Sequence, residues 1–313
     1  MAKNTVIVIT RNQEEYERRL TALGLPDLEV LAPRDEQGIR ENIGRANIML
    51  ATPPLARGYI NDATNVKWMQ STYAGVDALN AEGLRKDYVL TNIRDVYGPP
   101  LAEYAFAYIL AFRKELAENL AYQKKHEWKQ RVAGVIAGQT LCIVGAGSIG
   151  KEIARLGKAF GMRTIGYRTK DEPAEFFDEI YSGDLKKCVA EGDYVVSVLP
   201  RTKNTDDVFT LETFTAMKST ALFINIGRGN AVVEQDLVTA LEKKLIARAV
   251  LDVFKGEPLP ADSPLWEVEN LAITPHMAGY IFTDREFEIF EENYRRFCVG
   301  EELLYRVDFA KGY

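Results

Sequence analysis

The sequence predicts an α/β fold built from two doubly wound parallel-sheet domains. Three observations carry this. Short apolar runs rich in Val and Ile alternate with amphipathic stretches, first over roughly the opening hundred residues and again, more regularly, from residue 139. The runs are too short for typical helices and too uniformly apolar for strands with one wet face, which marks strands buried on both sides. A long stretch with helical spacing separates the two rounds. The chain has 313 residues, 47% hydrophobic and 27% charged, a composition and length suited to one large globular domain or two medium ones.

Taken in order, "TVIVIT" (5–10) reads as a buried strand and "NQEEYERRLTALG" as a helix stopped by Gly24. "ANIMLAT", "VKWMQST" and "YVLTNI" (88–93) read as further strands. In "GPPLAEYAFAYILAFRKELAENLAYQKKHEW", Pro99 and Pro100 suit a first helical turn, and the dense apolar positions that follow predict one helix over roughly 100–127. No Gly/Ser-rich linker interrupts it, so a domain boundary must run through this helix. Beyond residue 139, "TLCIVG", "RTIGY", "DYVVSVLP", "TALFINIG", "RAVLDVF" and "LAITPH" read as strands, with "SIGKEIARLGKAFG" and "EQDLVTALEKK" as helices between them. The closing "TDREFEIFEENYRRFCVGEELL" is a helix free to pack back on the first unit.

Charge and composition exclude several classes. The net charge is −6 with no long run of Lys or Arg, which speaks against nucleic acid as a partner. Three widely spaced cysteines, Cys142, Cys188 and Cys298, fit reduced thiols better than a disulfide framework, and their spacing suggests no metal site. "MAKNTVIVIT" turns polar too soon for a signal peptide, and no apolar stretch has the length of a membrane span. The expectation is a cytoplasmic protein without a membrane partner.

"LCIVGAGSIGKEIARLG" places Gly145, Gly147 and Gly150 directly after a strand, with Ser148 and Ile149 opening a helix. The three glycines serve, in turn, a tight turn, close approach of backbone to a pyrophosphate, and close helix–strand packing. The helix start offers free N–H groups and a positive dipole end to phosphates. This is the dinucleotide-binding turn of a Rossmann domain. In an NAD site an acid at the end of the second strand bonds the ribose hydroxyls, and it would repel the 2′-phosphate of NADP. Here "RTIGY" is the second strand, and Arg168 stands where the acid would be, followed by Thr169 and Lys170. A guanidinium there can make paired, charge-assisted bonds to a phosphate. The expectation is NADP(H) as preferred cofactor with NAD(H) possible. The other reading is a solvated strand end, with NAD bound by default.

Ligands of open parallel sheets bind beyond the carboxyl ends of the strands. "ALFINIGRG" leads there to Arg228, "AVLDVFKGE" to Glu257 and "LAITPH" to His276. The chain has two histidines, and the other, His126, lies in a charged helix tail and reads as solvated. Imidazole can move a proton in either direction near neutral pH, a neighbouring carboxylate favours its protonated form, and arginine holds a carboxylate with two bonds. With a nicotinamide to carry hydride, the three form a complete set for reducing a 2-keto acid to a 2-hydroxy acid. Taken singly, each is an ordinary strand-end residue.

The chain resembles the D-2-hydroxyacid dehydrogenase family over most of its length. "VGAGSIGKEIARLGKAFGM", "INIGRGNAVVEQDLVTAL", "AVLDVFKGEPLPADSPLW" and "ITPHMAGY" look like its signature segments, in order. The resemblance implies Arg228 as substrate binder, His276 as acid/base and Glu257 as its partner. It implies that Asp252 contacts the nicotinamide amide and that Leu199, Pro200, Ile226 and Gly227 line the cofactor. "STYAGVDAL" is similar to the family's substrate loop, which carries carboxylate binding over to Ala74, Gly75 and Val76. It further implies a Rossmann dinucleotide-binding domain over 99–277 inserted into a flavodoxin-like substrate domain over 1–98 plus 278–313, domain closure over a small 2-keto or 2-hydroxy acid, and a homodimer.

Two departures stand out. Arg168 in place of the usual acid is similar to glyoxylate/hydroxypyruvate reductases of the family. Tyr280 follows "HMAG" where a small residue is commoner, and Tyr73 opens the substrate loop. Facing the cleft, these tyrosines would alter substrate choice; otherwise they are packing or surface residues. Lack of a C-terminal regulatory extension argues against the allosteric serine-pathway type. Two alternatives stay open: an NAD-linked, oxidative D-2-hydroxyacid dehydrogenase, and a dinucleotide-sensing scaffold like the C-terminal-binding corepressors. The intact trio and the lack of a basic patch or long disordered tails speak against the second.

Overall fold

Two sheets, one of five strands and one of seven, organise the chain, and every strand pairing in both is parallel. The structure, a computed structural model, describes residues 3–94, 96–170, 172–279 and 284–309. The chain divides into two compact units: Met1–Val96 with Phe282–Tyr313, and Tyr97–Ile281 between them.

The first unit holds β1 (Asn4–Ile9), α1 (Gln13–Ala22), β2 (Leu28–Leu31), α2 (Glu36–Asn42), β3 (Ile48–Ala51), α3 (Pro53–Ala56), β4 (Trp68–Ser71) and β5 (Val89–Thr91). Their order in the sheet is β2-β1-β3-β4-β5, the flavodoxin-like winding. The continuous apolar run of β1 is explained by its two faces. Val6 and Val8 join one core with Ile48, Leu50 and Trp68, while Ile7 and Ile9 join another with Met49 and Met69. The closing helix packs on the first of these faces. It contributes Phe287, Phe290 and Tyr294, with Phe290 stacked 5.2 Å from Trp68.

The second unit opens with α4 (Gly98–Arg113) and α5 (Leu116–Lys124). It continues through β6 (Thr140–Val144), α6 (Ser148–Ala159), β7 (Arg163–Tyr167), β8 (Glu179–Tyr181), α7 (Leu185–Glu191), β9 (Tyr194–Ser197), α8 (Leu211–Ala216), β10 (Leu222–Asn225), α9 (Glu234–Glu242), β11 (Arg248–Leu251) and β12 (Leu271–Ile273). The first unit's closing helix is α10 (Asp284–Val299). The sheet order β12-β11-β10-β9-β6-β7-β8 runs outward in both directions from β6, the Rossmann winding with one strand added. The carboxyl ends of β6, β7, β9, β10, β11 and β12 therefore share one rim, and the winding reverses between β6 and β9.

One sequence expectation is corrected. The helix expected over 100–127 is two helices, broken where Glu115 takes a left-handed conformation at φ 52°. Helix α4 buries Leu101, Ala102, Ala105, Phe106 and Ile109, whereas α5 buries no residue, so no core contact holds the original direction. Side chains at the break grip the strap that follows instead: Arg113 donates to the Val135 carbonyl at 3.0 Å and Lys114 to that of Gly134 at 3.0 Å.

Candidate active site

The glycine turn is shaped by sterics. Gly145 sits at φ 115°, a conformation side chains rarely adopt, and donates its N–H to the Tyr167 carbonyl at 3.0 Å. A Cβ on Gly150 would fall 2.3 Å from the Gly145 carbonyl oxygen, so α6 can approach β6 only with glycine there. A Cβ on Gly147, by contrast, would meet nothing within 4 Å. That open space lies at the start of α6, where Ser148 and Ile149 begin the helix and no acid occupies the first turn. Room beside free N–H groups at an uncompensated positive helix end fits a pyrophosphate.

Neighbouring strand ends complete this rim. A Cβ on Gly227 would lie 2.7 Å from both the backbone nitrogen and oxygen of Leu199, so the loops after β9 and β10 lie against each other. Ile226 is buried and donates to the Ser197 carbonyl at 3.1 Å, while the Pro200 carbonyl accepts the Thr205 hydroxyl at 2.6 Å. At the end of β7, Arg168 is pinned through its N–H to the Tyr181 carbonyl at 3.1 Å, and Thr169 and Lys170 follow as exposed residues. The Arg168 guanidinium meets the Glu172 carboxylate at 3.3 Å, a contact that the sequence pattern does not foretell.

The structure brings His276 and Glu257 together, with Nδ1 of the imidazole 2.7 Å from a Glu257 oxygen. The other Glu257 oxygen accepts the Phe254 N–H at 3.0 Å. Burial pushes the Glu257 carboxyl up, but the His276 hydrogen bond, the Phe254 N–H and the charges of His276 and Arg228 outweigh it and hold it below the usual carboxylate range. With Nδ1 turned to a carboxylate, Nε2 is the nitrogen able to meet a substrate. The loop bearing Arg228 is wedged in place: a Cβ on Gly229 would fall 1.9 Å from the Phe254 carbonyl carbon.

Several bracing contacts are not evident from the sequence, although Asp252 itself is singled out there. Asn225, fully buried at the end of β10, donates to the Arg228 carbonyl at 3.0 Å and accepts the Gly227 N–H at 3.3 Å. Asp252, 1% exposed, organises the turn carrying His276. Its carboxylate accepts the Thr274 hydroxyl at 2.6 Å and the N–H groups of Met277 at 2.9 Å and Ala278 at 3.0 Å, and its carbonyl accepts the His276 N–H at 2.8 Å. These bonds hold His276 at φ 52°, unusual for a residue with a side chain. Tyr104 of α4 reaches Thr274 through a hydroxyl–hydroxyl bond of 2.5 Å. The one available signal was a polar residue ending an otherwise apolar run, as in "LFIN" and "LAIT".

In the first unit, the loop at 73–76 follows β4. The Tyr73 carbonyl accepts the Ser71 hydroxyl at 2.7 Å, and the Ala74 carbonyl accepts the Asn92 amide at 2.7 Å. Gly75 is partly exposed and Val76 is buried. Tyr280 lies outside the described residues.

Comparison with known proteins places the chain in a family. Residues 106–278 match the family model described as "D-isomer specific 2-hydroxyacid dehydrogenase, NAD binding domain". A glyoxylate reductase from Korarchaeum cryptofilum is 31% identical over 284 residues, covering 86% of this chain and 85% of that protein. The crystal structure of a D-isomer specific 2-hydroxyacid dehydrogenase family protein from Aeromonas salmonicida is 41% identical, with a TM-score of 0.95 over 98% of this chain and all (100%) of that one. An NADPH-dependent glyoxylate/hydroxypyruvate reductase from Sinorhizobium meliloti, solved with NADP and sulfate, is 28% identical, with a TM-score of 0.89 over 99% of this chain and 100% of that one. A match of this extent, over both sheets and through the glycine turn, makes the chain an oxidoreductase belonging to the D-isomer specific 2-hydroxyacid dehydrogenase family.

Proposed function

We propose that this enzyme reduces a small 2-keto acid of the glyoxylate/hydroxypyruvate class to the D-2-hydroxy acid, with NADP(H) as preferred cofactor and NAD(H) accepted. The observation that carries the chemistry is the His276–Glu257 contact of 2.7 Å on the rim that also bears Arg228 and the glycine turn. Bound nicotinamide supplies the hydride. His276, oriented by Glu257, donates a proton from Nε2 to the forming alkoxide, and Arg228 binds the substrate carboxylate and polarises the carbonyl. The N–H groups of Ala74, Gly75 and Val76 are assigned to the same carboxylate. Gly145, Gly147, Ser148, Ile149 and Gly150 cradle the pyrophosphate, Leu199, Pro200, Ile226, Gly227 and Asp252 line the nicotinamide half, and Arg168, Thr169 and Lys170 take the 2′-phosphate. Relatives named glyoxylate reductase, and the NADP in the Sinorhizobium meliloti structure, support the substrate class and the cofactor. The active form is assigned as a homodimer, and no helix among the described residues is long and apolar enough to cross a membrane.

The test follows oxidation of NADPH and of NADH, separately, with glyoxylate, hydroxypyruvate, pyruvate and phenylpyruvate. Glyoxylate or hydroxypyruvate with NADPH should be turned over fastest, by tenfold or more over NADH, which corresponds to about 1.4 kcal/mol of differential transition-state binding. His276→Ala and Arg228→Ala should each abolish most of the turnover. Near-wild-type rates in either variant would sink the assignment of roles, and equal or better rates with NADH would sink the cofactor preference.

A further inference from the structure

We propose that Glu172 is a specificity-determining residue that competes with the 2′-phosphate of NADP for Arg168 and so narrows the preference for NADPH over NADH. The inference rests on the reading of Arg168 as the 2′-phosphate ligand and adds to it a residue that no sequence position of the usual acid points to. The main chain at Arg168 is fixed, because its backbone N–H is bonded to the Tyr181 carbonyl at the edge of the sheet. Its guanidinium meets Glu172 at 3.3 Å, with the two side chains 28% and 59% exposed.

The acid is delivered by a folded segment. Beyond Glu172 the chain runs back along β7 and is anchored there. The Thr164 hydroxyl donates to the Phe176 carbonyl at 2.6 Å, and the Asp178 carboxylate accepts the Thr164 N–H at 2.8 Å and Lys158 at 2.8 Å. Phe177 fits over Gly166 so closely that a Cβ there would fall 2.7 Å from its ring. Glu175 pairs with Lys151 on α6. These contacts hold Glu172 within reach of the strand end.

The consequence is a competition between two anions for one cation. A 2′-phosphate must displace the Glu172 carboxylate before it gains its paired bonds to Arg168. A cofactor without that phosphate leaves the ion pair intact, so Arg168 stays compensated. The pair thus subtracts from NADPH binding and leaves NADH untouched.

The experiment measures equilibrium binding, by calorimetry, of 2′,5′-ADP, 5′-ADP, NADPH and NADH to wild type, Glu172→Gln, Arg168→Ala and the double variant. Exposed ion pairs are weak, so Glu172→Gln should tighten 2′,5′-ADP and NADPH by about two- to fivefold. It should leave 5′-ADP and NADH unchanged, and the tightening should vanish in the Arg168→Ala background. Unchanged or weaker 2′,5′-ADP binding in Glu172→Gln would overturn the proposal. So would weaker 5′-ADP and NADH, which would make Glu172 a ribose ligand instead. If Arg168→Ala alone leaves the ratio of 2′,5′-ADP to 5′-ADP affinity as in wild type, the NADP reading falls and takes this proposal with it. A lowered ratio there, with no effect of Glu172→Gln, removes Glu172 alone.

Discussion

At the scale of single residues the proposed chemistry turns on Glu257. A carboxyl held below the usual range stays ionised through neutral pH, so Glu257 keeps its charge beside His276 and gives it up only as pH falls through the lowered Glu257 value. In the proposed mechanism His276 donates the proton and Glu257 orients its ring through Nδ1. Glu257→Gln removes the carboxylate that His276 Nδ1 meets at 2.7 Å. Turnover at neutral pH should then drop by about ten- to a hundredfold. Turnover near wild type in this variant would show that Glu257 does not act through His276. Gly229 is a steric counterpart. A Cβ there would fall 1.9 Å from the Phe254 carbonyl carbon, so Gly229→Ala must push the Arg228 loop off its neighbour. Overpacking of this kind costs about 1–3 kcal/mol, and a displacement of about 1 Å at a reacting group costs on the order of a hundredfold in rate. Thermal melting should register the first and kcat/KM the second, with the kinetic loss the larger.

At the scale of elements, the turn after β12 is built by Asp252 from the end of β11. Asp252→Asn puts an amide N–H₂ where a carboxylate now accepts three donors, so at least one bond is replaced by a donor–donor contact. The expected loss is about 1–3 kcal/mol in urea denaturation, with kcat reduced because His276 loses its fixed φ. Full stability in the Asn variant would show that the turn does not need the charge. This bracing marks the limit of what the sequence makes legible. The central strands were readable because residues on both faces are buried and apolar, as in β1, β6 and β10. The edge strands β2 and β8 were not, since they are short and only partly buried and carry no continuous apolar run. The glycine roles were legible because sterics alone dictate them. The link from Tyr104 to Thr274 to Asp252 was not, because it joins elements distant in sequence through side chains that periodicity cannot aim. The same holds for Glu172, whose place depends on the fold of the segment behind it.

At the scale of the molecule, the sharpest unexplained cost lies in α5 and the strap after it. Leu116 and Leu120 are 50% and 58% exposed, Val135 61%, Trp128 92% and Val132 100%. Scattered apolar residues on a surface are ordinary, but here they gather within one short stretch of chain. The strap is also held in shape: Arg113 and Lys114 bond its carbonyls, Arg131 pairs with Glu115 at 2.9 Å, and Lys129 lies over the Tyr122 ring at 4.4 Å. A fixed strap that presents Trp and Val to water supports the proposed homodimer. Burying such side chains gains roughly 25 cal/mol per Å². If a second copy offers the same patch through a two-fold axis, the contact closes on itself and stops at two. The wild-type chain should therefore sediment as a dimer, and its melting temperature should fall on dilution. The double variant Trp128→Glu, Val132→Glu should sediment as a monomer with an unchanged circular dichroism spectrum, because neither side chain belongs to a core, and its melting temperature should no longer depend on concentration. A wild-type chain that sediments as a monomer across the dilution series would refute the pairing, and a double variant that remains dimeric would place the contact on another face.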